Sequence, residues 1–136
     1  MNIVIDTNIF VAALIRDGFI RGVLEDFRFN YLLPGFELEE IYNHKEEIMG
    51  KGGYDEFEFD KVLLRLLKYV RFVPADMLVD KRSEAREIMD DIDGDDAVFV
   101  STALKFGCPI WSDDKHFKMQ ERVKVYNTGE FVKLIK

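Results

Sequence analysis

Asn2-Ile3-Val4-Ile5-Asp6-Thr7-Asn8 opens the chain with a short buried-type strand that meets an acid where the backbone must turn into a helix. In an open α/β sheet, ligands bind outside the carboxyl ends of the strands, so Asp6 stands where such a domain places its site. The same grammar returns in Pro109-Ile110-Trp111-Ser112-Asp113-Asp114, a second apolar strand that ends in acids. Asp93-Gly94-Asp95-Asp96 sets further acids at the head of an apolar helix. Acids gathered at strand ends imply a divalent cation.

Outward from these segments, hydrophobic periodicity predicts strands at 2–6, 29–33, 70–74, 109–112 and 123–126. It predicts helices at 7–16, 19–27, 36–49, 55–68, near 80–91, 96–106 and 128–135, with a short helical turn at 115–120. Strands alternating with helices mean an α/β fold, a three-layer α/β/α sandwich on a parallel sheet of about four to five strands. No repeat, low-complexity tract or Pro- or Ser-rich linker marks a boundary, so residues 1–136 read as one domain. Two central helices carry Leu38, Ile41, Ile48 and Met49, then Phe59, Val62, Leu63, Leu66 and Leu67, at three-to-four spacing. This is a core or subunit-facing stripe, and it leads to the expectation of a homodimer.

A chain of 136 residues with 48% apolar content can bury a sizeable core, roughly two thirds of its unfolded surface. The single cysteine, Cys108, excludes an internal disulfide and a Cys-rich zinc site. No window approaches the ~20 apolar residues of a membrane span, and the N-terminus lacks the basic flank of a signal peptide. A cytoplasmic protein is expected. The formal charge of −7 argues against broad electrostatic capture of nucleic acid. It leaves room for a nucleic-acid enzyme, because cations pooled in an acidic site reverse the field that a phosphate meets.

Each acid taken singly also has a structural explanation. Asp6, Asp96 and Asp114 stand where a side-chain oxygen caps a helix, and Glu40 lies off the Leu38/Ile41/Ile48 face, on the side of His44. The run from Glu87 to Asp96, however, holds six carboxylates and no base, and such like charges destabilise a helix end unless something offsets them. Mg²⁺ and Mn²⁺ prefer carboxylate oxygens and are commonly held by few protein ligands plus substrate phosphate. Acids, metal and phosphate make one coherent site.

Taken together, these residues resemble the PIN domain family of metal-dependent ribonucleases over essentially the whole chain. The family's opening acid in a D-T-N context is matched by Ile5-Asp6-Thr7-Asn8. Its second acid follows a Pro-containing strand end, as in Leu33-Pro34-Gly35-Phe36-Glu37-Leu38-Glu39-Glu40-Ile41, with Glu40 in register and Glu39 as the competitor. The third precedes a small-residue helix, as Asp96 does, with Asp93 a companion one turn earlier. The fourth falls in a T/S-x-D-x-x-F pattern, matched by Ser112-Asp113-Asp114-Lys115-His116-Phe117. D-T-N and S-x-D are each common by chance, whereas four such pieces in order at domain-wide spacing are specific. Lacking a zinc ribbon or RNA-binding module, the chain is most similar to the small VapC-like toxins of toxin–antitoxin pairs.

The resemblance implies that Asp6, Glu40, Asp96 and Asp114 ligate Mg²⁺ or Mn²⁺ and carry catalysis, with Thr7, Asn8, Asp93 and Ser112 supporting them or the substrate. It implies RNA as substrate, water as nucleophile and an antitoxin protein as partner. His116 stands where many relatives carry another acid, and both His44 and His116 read as surface residues. Alternatives are a non-toxin RNA-processing nuclease of this fold and a catalytically silent scaffold. A receiver-type signalling domain fails because Val70-Arg71-Phe72-Val73-Pro74 ends in no acid, and a haloacid-dehalogenase-type phosphatase fails because Asp6-Thr7-Asn8 lacks the second Asp of D-x-D.

Overall fold

In a computed structural model describing residues 1–26, 28–92 and 94–135, the described residues form one five-stranded sheet. Its strands are β1 (Asn2–Ile5), β2 (Asn30–Pro34), β3 (Val70–Val73), β4 (Ile110–Trp111) and β5 (Val125–Tyr126). All pairings are parallel and the spatial order is β3-β2-β1-β4-β5. The central strands are apolar on both sides, which is why Ile3-Val4-Ile5 and Tyr31-Leu32-Leu33 read as unbroken runs rather than alternating ones. Register pairs Ile3 with Tyr31 and Ile5 with Trp111, which places those four side chains on one face, with Val4, Leu32 and Ile110 on the other.

Around the sheet lie α1 (Thr7–Ile15), α2 (Phe19–Leu24), α3 (Glu37–Asn43), α4 (Lys45–Gly52), α5 (Glu56–Leu66), α6 (Arg82–Met89), α7 (Ala97–Phe106) and α8 (Thr128–Ile135). Short 3₁₀ segments occupy Ala75–Lys81, Gly94–Asp96 and Lys115–Met119. Strand connections from β1 to β3 progress one way across the sheet and those from β3 to β5 progress back. Right-handed crossovers therefore send the intervening helices to opposite faces. On the Ile5 face, Phe10 of α1 meets Phe72 at 5.9 Å, Tyr31 Oη donates to Val23 O of α2 at 3.1 Å, and Phe131 of α8 stacks on Trp111 at 4.6 Å. The opposite face is covered by α7, which packs on β1, β2 and β4 and carries α6 on its outer side. This is the expected three-layer parallel fold.

Element boundaries shift in informative ways. The helix predicted over 36–49 is two helices, because His44 leaves helical geometry at φ −102° and ψ 15°. Leu38 and Ile41 have no apolar successor at 44 or 45, so nothing ties that turn to the core, and the chain reorients before Ile48 is buried again. The region near 80–91 is a 3₁₀ segment leading into α6. The stripe Phe59, Val62, Leu63 and Leu66 of α5 is consumed by the chain's own core, which leaves Phe57 and Leu64, seven residues apart, exposed. No helix among the described residues is long and apolar enough to cross a membrane.

Phe131→Ala should cost about 3–5 kcal/mol, the usual range for deleting a fully buried ring. Urea denaturation measures the loss. The fluorescence of Trp111, the sole tryptophan, should shift to the red as the stacked ring over it disappears.

Candidate metal centre

The strand order reverses about β1, and the crevice between the carboxyl ends of β1 and β4 is the place where a doubly wound sheet leaves room for a ligand. Asp6 stands there, one residue beyond the buried end of β1 and itself 5% exposed. Its Oδ1 accepts from Ile9 N at 2.9 Å and so caps α1. Its Oδ2 accepts a short hydrogen bond from Ser112 Oγ at the end of β4. Ser112 Oγ in turn accepts from Asp114 N at 3.0 Å, so one buried hydroxyl ties two acids together. Burial pushes the Asp6 carboxyl above its ordinary value, and the charges of Asp113 and Asp114 push it further, against the Ser112 and Ile9 hydrogen bonds.

A cleft of about 690 Å³ opens from this point. Its lining includes Asp6, Thr7 and Asn8 from the β1–α1 turn, Glu37 and Glu40 from α3, Asp96 at the head of α7, and Asp114 after β4. Glycine at position 35 permits this placement of α3. Gly35 N donates to Val73 O at 2.7 Å, and a Cβ there would stand 2.9 Å from that oxygen, so any side chain would push α3 away from β3.

Within the cleft, Thr7 Oγ1 donates to Glu37 Oε2 at 2.7 Å, so Thr7 orients a carboxylate of α3 rather than Asp6. Glu40 lies on the outer rim, its side chain 59% exposed and 3.2 Å from His44 Nε2. Glu39, the alternative second acid, does not line the cleft, whereas Glu37 does. Asp96 heads α7 without capping it. Asp114 Oδ1 caps the following 3₁₀ turn through His116 N at 2.9 Å. Asp113 turns away to accept from Thr128 N and Oγ1, both at 2.7 Å, and so anchors α8. Asp93 lies outside the described residues.

Asp96, Asp114 and His116 each offer one ligand atom, and these atoms all lie within 4.8 Å of one another. Nδ1 of His116 is 3.4 Å from Asp114 Oδ1 and 4.0 Å from Asp96 Oδ2. Buried Asp6 and the two α3 glutamates line the same cleft outside that close group, and the donor types present suit a divalent cation. Oxygen donors predominate, and the carboxylates repel one another unless positive charge lies between them.

A family model for the PIN domain matches residues 4–128. The chain belongs to the PIN domain family. PIN domains are generally nucleases. Among solved structures, this PIN domain is similar to a chain in the crystal structure of VapBC2 from Rickettsia felis bound to a DNA fragment from their promoter. The match has a TM-score of 0.71 at 16% identity and covers 93% of this chain and 98% of the other. No curated protein matches.

Two residues of this PIN domain that the sequence reading did not place in the site stand in or beside it. Glu37 is three residues before Glu40, so a helix presents both toward one side, a signal available from spacing alone. His116 exposes its ring as a surface histidine does, but the turn capped by Asp114 brings that ring against the acids.

Asp6→Asn should keep the α1 cap and the Ser112 contact, since an amide supplies both an acceptor and a donor. Because the folded carboxyl is raised above 3.8, its stabilising protonated form is complete below that value and is lost as pH climbs through the raised one. In chelator the parent protein should therefore lose stability over that climb and the variant should lose less. Thermal melts at several pH values test this, with the variant melting higher at neutral pH.

Proposed function

We propose that this PIN domain is a Mg²⁺- or Mn²⁺-dependent endoribonuclease and the toxin of a toxin–antitoxin pair. The observation that carries the reading is the gathering of Asp6, Glu37, Glu40, Asp96 and Asp114, scattered through more than a hundred residues, on one cleft at the sheet's switch point. Asp6, Glu40, Asp96 and Asp114 would hold the cation. It would supply the charge that admits a phosphodiester into an acidic cleft and would lower the pKa of an attacking water.

The chain's own residues do the rest. Ser112 fixes Asp6 and the backbone of Asp114 together, so the two ligands keep one geometry without having to reorganise. Thr7 aims Glu37 into the cleft, where its carboxylate takes the proton of the attacking water. Asn8, exposed at the mouth, donates to a phosphate or ribose oxygen of the substrate. The apolar wall of Val11, Ile15, Ile41 and Phe36 lies beside the acids and receives the sugar and base of the strand. Because water and not the ribose 2′-hydroxyl is the nucleophile, cleavage leaves a 5′-phosphate and a 3′-hydroxyl.

The structural likeness to a VapBC2 chain supports the toxin reading. A toxin acting on cytoplasmic RNA needs an inhibitor, and a cleft lined by six carboxylates with Lys51 as its lysine favours a basic tail. An Arg from that tail would pair bidentately with the carboxylates and displace the cation. Exposed Phe57 and Leu64 on α5 form the homodimer contact.

Asp6→Asn should abolish cation-dependent cleavage of RNA, a loss of at least a hundredfold, while Asp113→Asn retains it because Asp113 serves α8. Gel assays with Mg²⁺, Mn²⁺ and chelator decide this, and equal cleavage by wild type and Asp6→Asn would assign the activity elsewhere. A strict monomer by light scattering at micromolar concentration would remove the dimer. Inhibition by the neighbouring gene product that survives loss of its basic tail would remove the proposed inhibitor mechanism.

A further inference from the structure

We infer that His116 supplies a nitrogen ligand beside Asp96 and Asp114, so that this site selects a transition-metal ion such as Mn²⁺ over Mg²⁺. The inference rests on the cation-dependent reading above and adds a specificity-determining residue to it.

Geometry supports the assignment first. Bonds of about 2.1 Å place neighbouring ligand atoms of an octahedral shell roughly 3 Å apart and opposite ones roughly 4.2 Å apart. The His116 Nδ1 separations of 3.4 Å to Asp114 Oδ1 and 4.0 Å to Asp96 Oδ2 lie within a few tenths of an ångström of these two values. The backbone that carries the ring is also held in place. His116 N is bonded to the Asp114 carboxylate at 2.9 Å, and the next residue, Phe117, is 1% exposed and packs edge-on against Phe99 at 5.9 Å. At the far end of the turn, Gln120 Nε2 donates to Phe117 O at 2.7 Å and to Val123 O at 2.9 Å. A ligand on a turn pinned at both ends needs no backbone reordering when a cation arrives.

Ligand chemistry then sets the preference. Mg²⁺ is a hard ion that favours oxygen and keeps its waters, whereas the first-row transition ions gain more from an imidazole, Mn²⁺ the least of them. A carboxylate at position 116 would make this corner all-oxygen. With imidazole there, the same backbone discriminates against Mg²⁺. The competing role is electrostatic, with an imidazolium that merely neutralises Asp96 and Asp114 and leaves when a cation binds.

The test uses the full chain titrated with Mn²⁺ and observed by electron paramagnetic resonance, with pulsed detection of nitrogen coupling and with Mg²⁺ as competitor. The expected result is saturable Mn²⁺ binding with a nitrogen coupling that disappears in His116→Ala. In that variant Mn²⁺ affinity should fall about tenfold while Mg²⁺ affinity changes much less. His116→Asp should restore tight binding without nitrogen coupling and bring the Mn²⁺ to Mg²⁺ preference close to parity. Mn²⁺ bound without nitrogen coupling, or a preference unchanged in His116→Ala, overturns this inference and leaves the cation-dependent reading standing. Absence of saturable Mn²⁺ binding by the wild-type chain overturns both.

Discussion

Asp6 holds a carboxylate at the buried end of the central strand, and the chain around it either tolerates that charge or depends on it. A carboxylate so placed is costly unless it is hydrogen-bonded. Ile9 N and Ser112 Oγ supply two hydrogen bonds, one from the start of α1 and one from the end of β4. The same contacts join β1 to β4 at the point where the strand order reverses. Asp6 therefore serves as a helix cap and a strand-end bridge while it also lines the cleft. Its contribution to stability is smallest when the neighbouring acids lack a counter-charge.

That tension extends through the cleft. Asp113, next to Asp114, is removed from it by two hydrogen bonds to Thr128, whose Oγ also accepts from Trp111 Nε1 at 3.0 Å. One of two adjacent acids thus anchors α8 and its aromatic cluster, while the other faces the site. On the opposite wall, Gly35 lets α3 sit close to β3 and the break at His44 frees α4 to pack on α1. Glu47 and Lys51 of α4, paired at 3.1 Å, complete the rim beside the Glu40 and His44 pair. The apolar demands of the core set the direction of each helix, and the acids follow their helices.

Much was legible in the chain itself. Strand-helix alternation identified the α/β class because buried parallel strands and amphipathic helices have different periods. The strand-ending acids pointed to the cleft they line, because ligands in such sheets gather at carboxyl ends. Glu40 was correctly put on the side of His44, which follows from 100° per residue. Less legible were properties that depend on two segments meeting. The division of 36–49 at His44 reflects which turns find a core to bury against, and the turnover of Asp113 toward Thr128 requires α8 to lie across β4.

The residues alone determined the fold class, the order of elements and the set of candidate acids, because these rest on local periodicity and on chemistry carried by single side chains. Tertiary structure decided the partners. Thr7 serves Glu37, Glu37 rather than Glu39 accompanies Glu40, and a half-exposed histidine stands against Asp96 and Asp114. The physical reason is reach. A hydrogen bond or a shared cation acts over a few ångströms, and only packing brings positions 96, 114 and 116 within that distance and sets positions 6 and 37 on the same cleft.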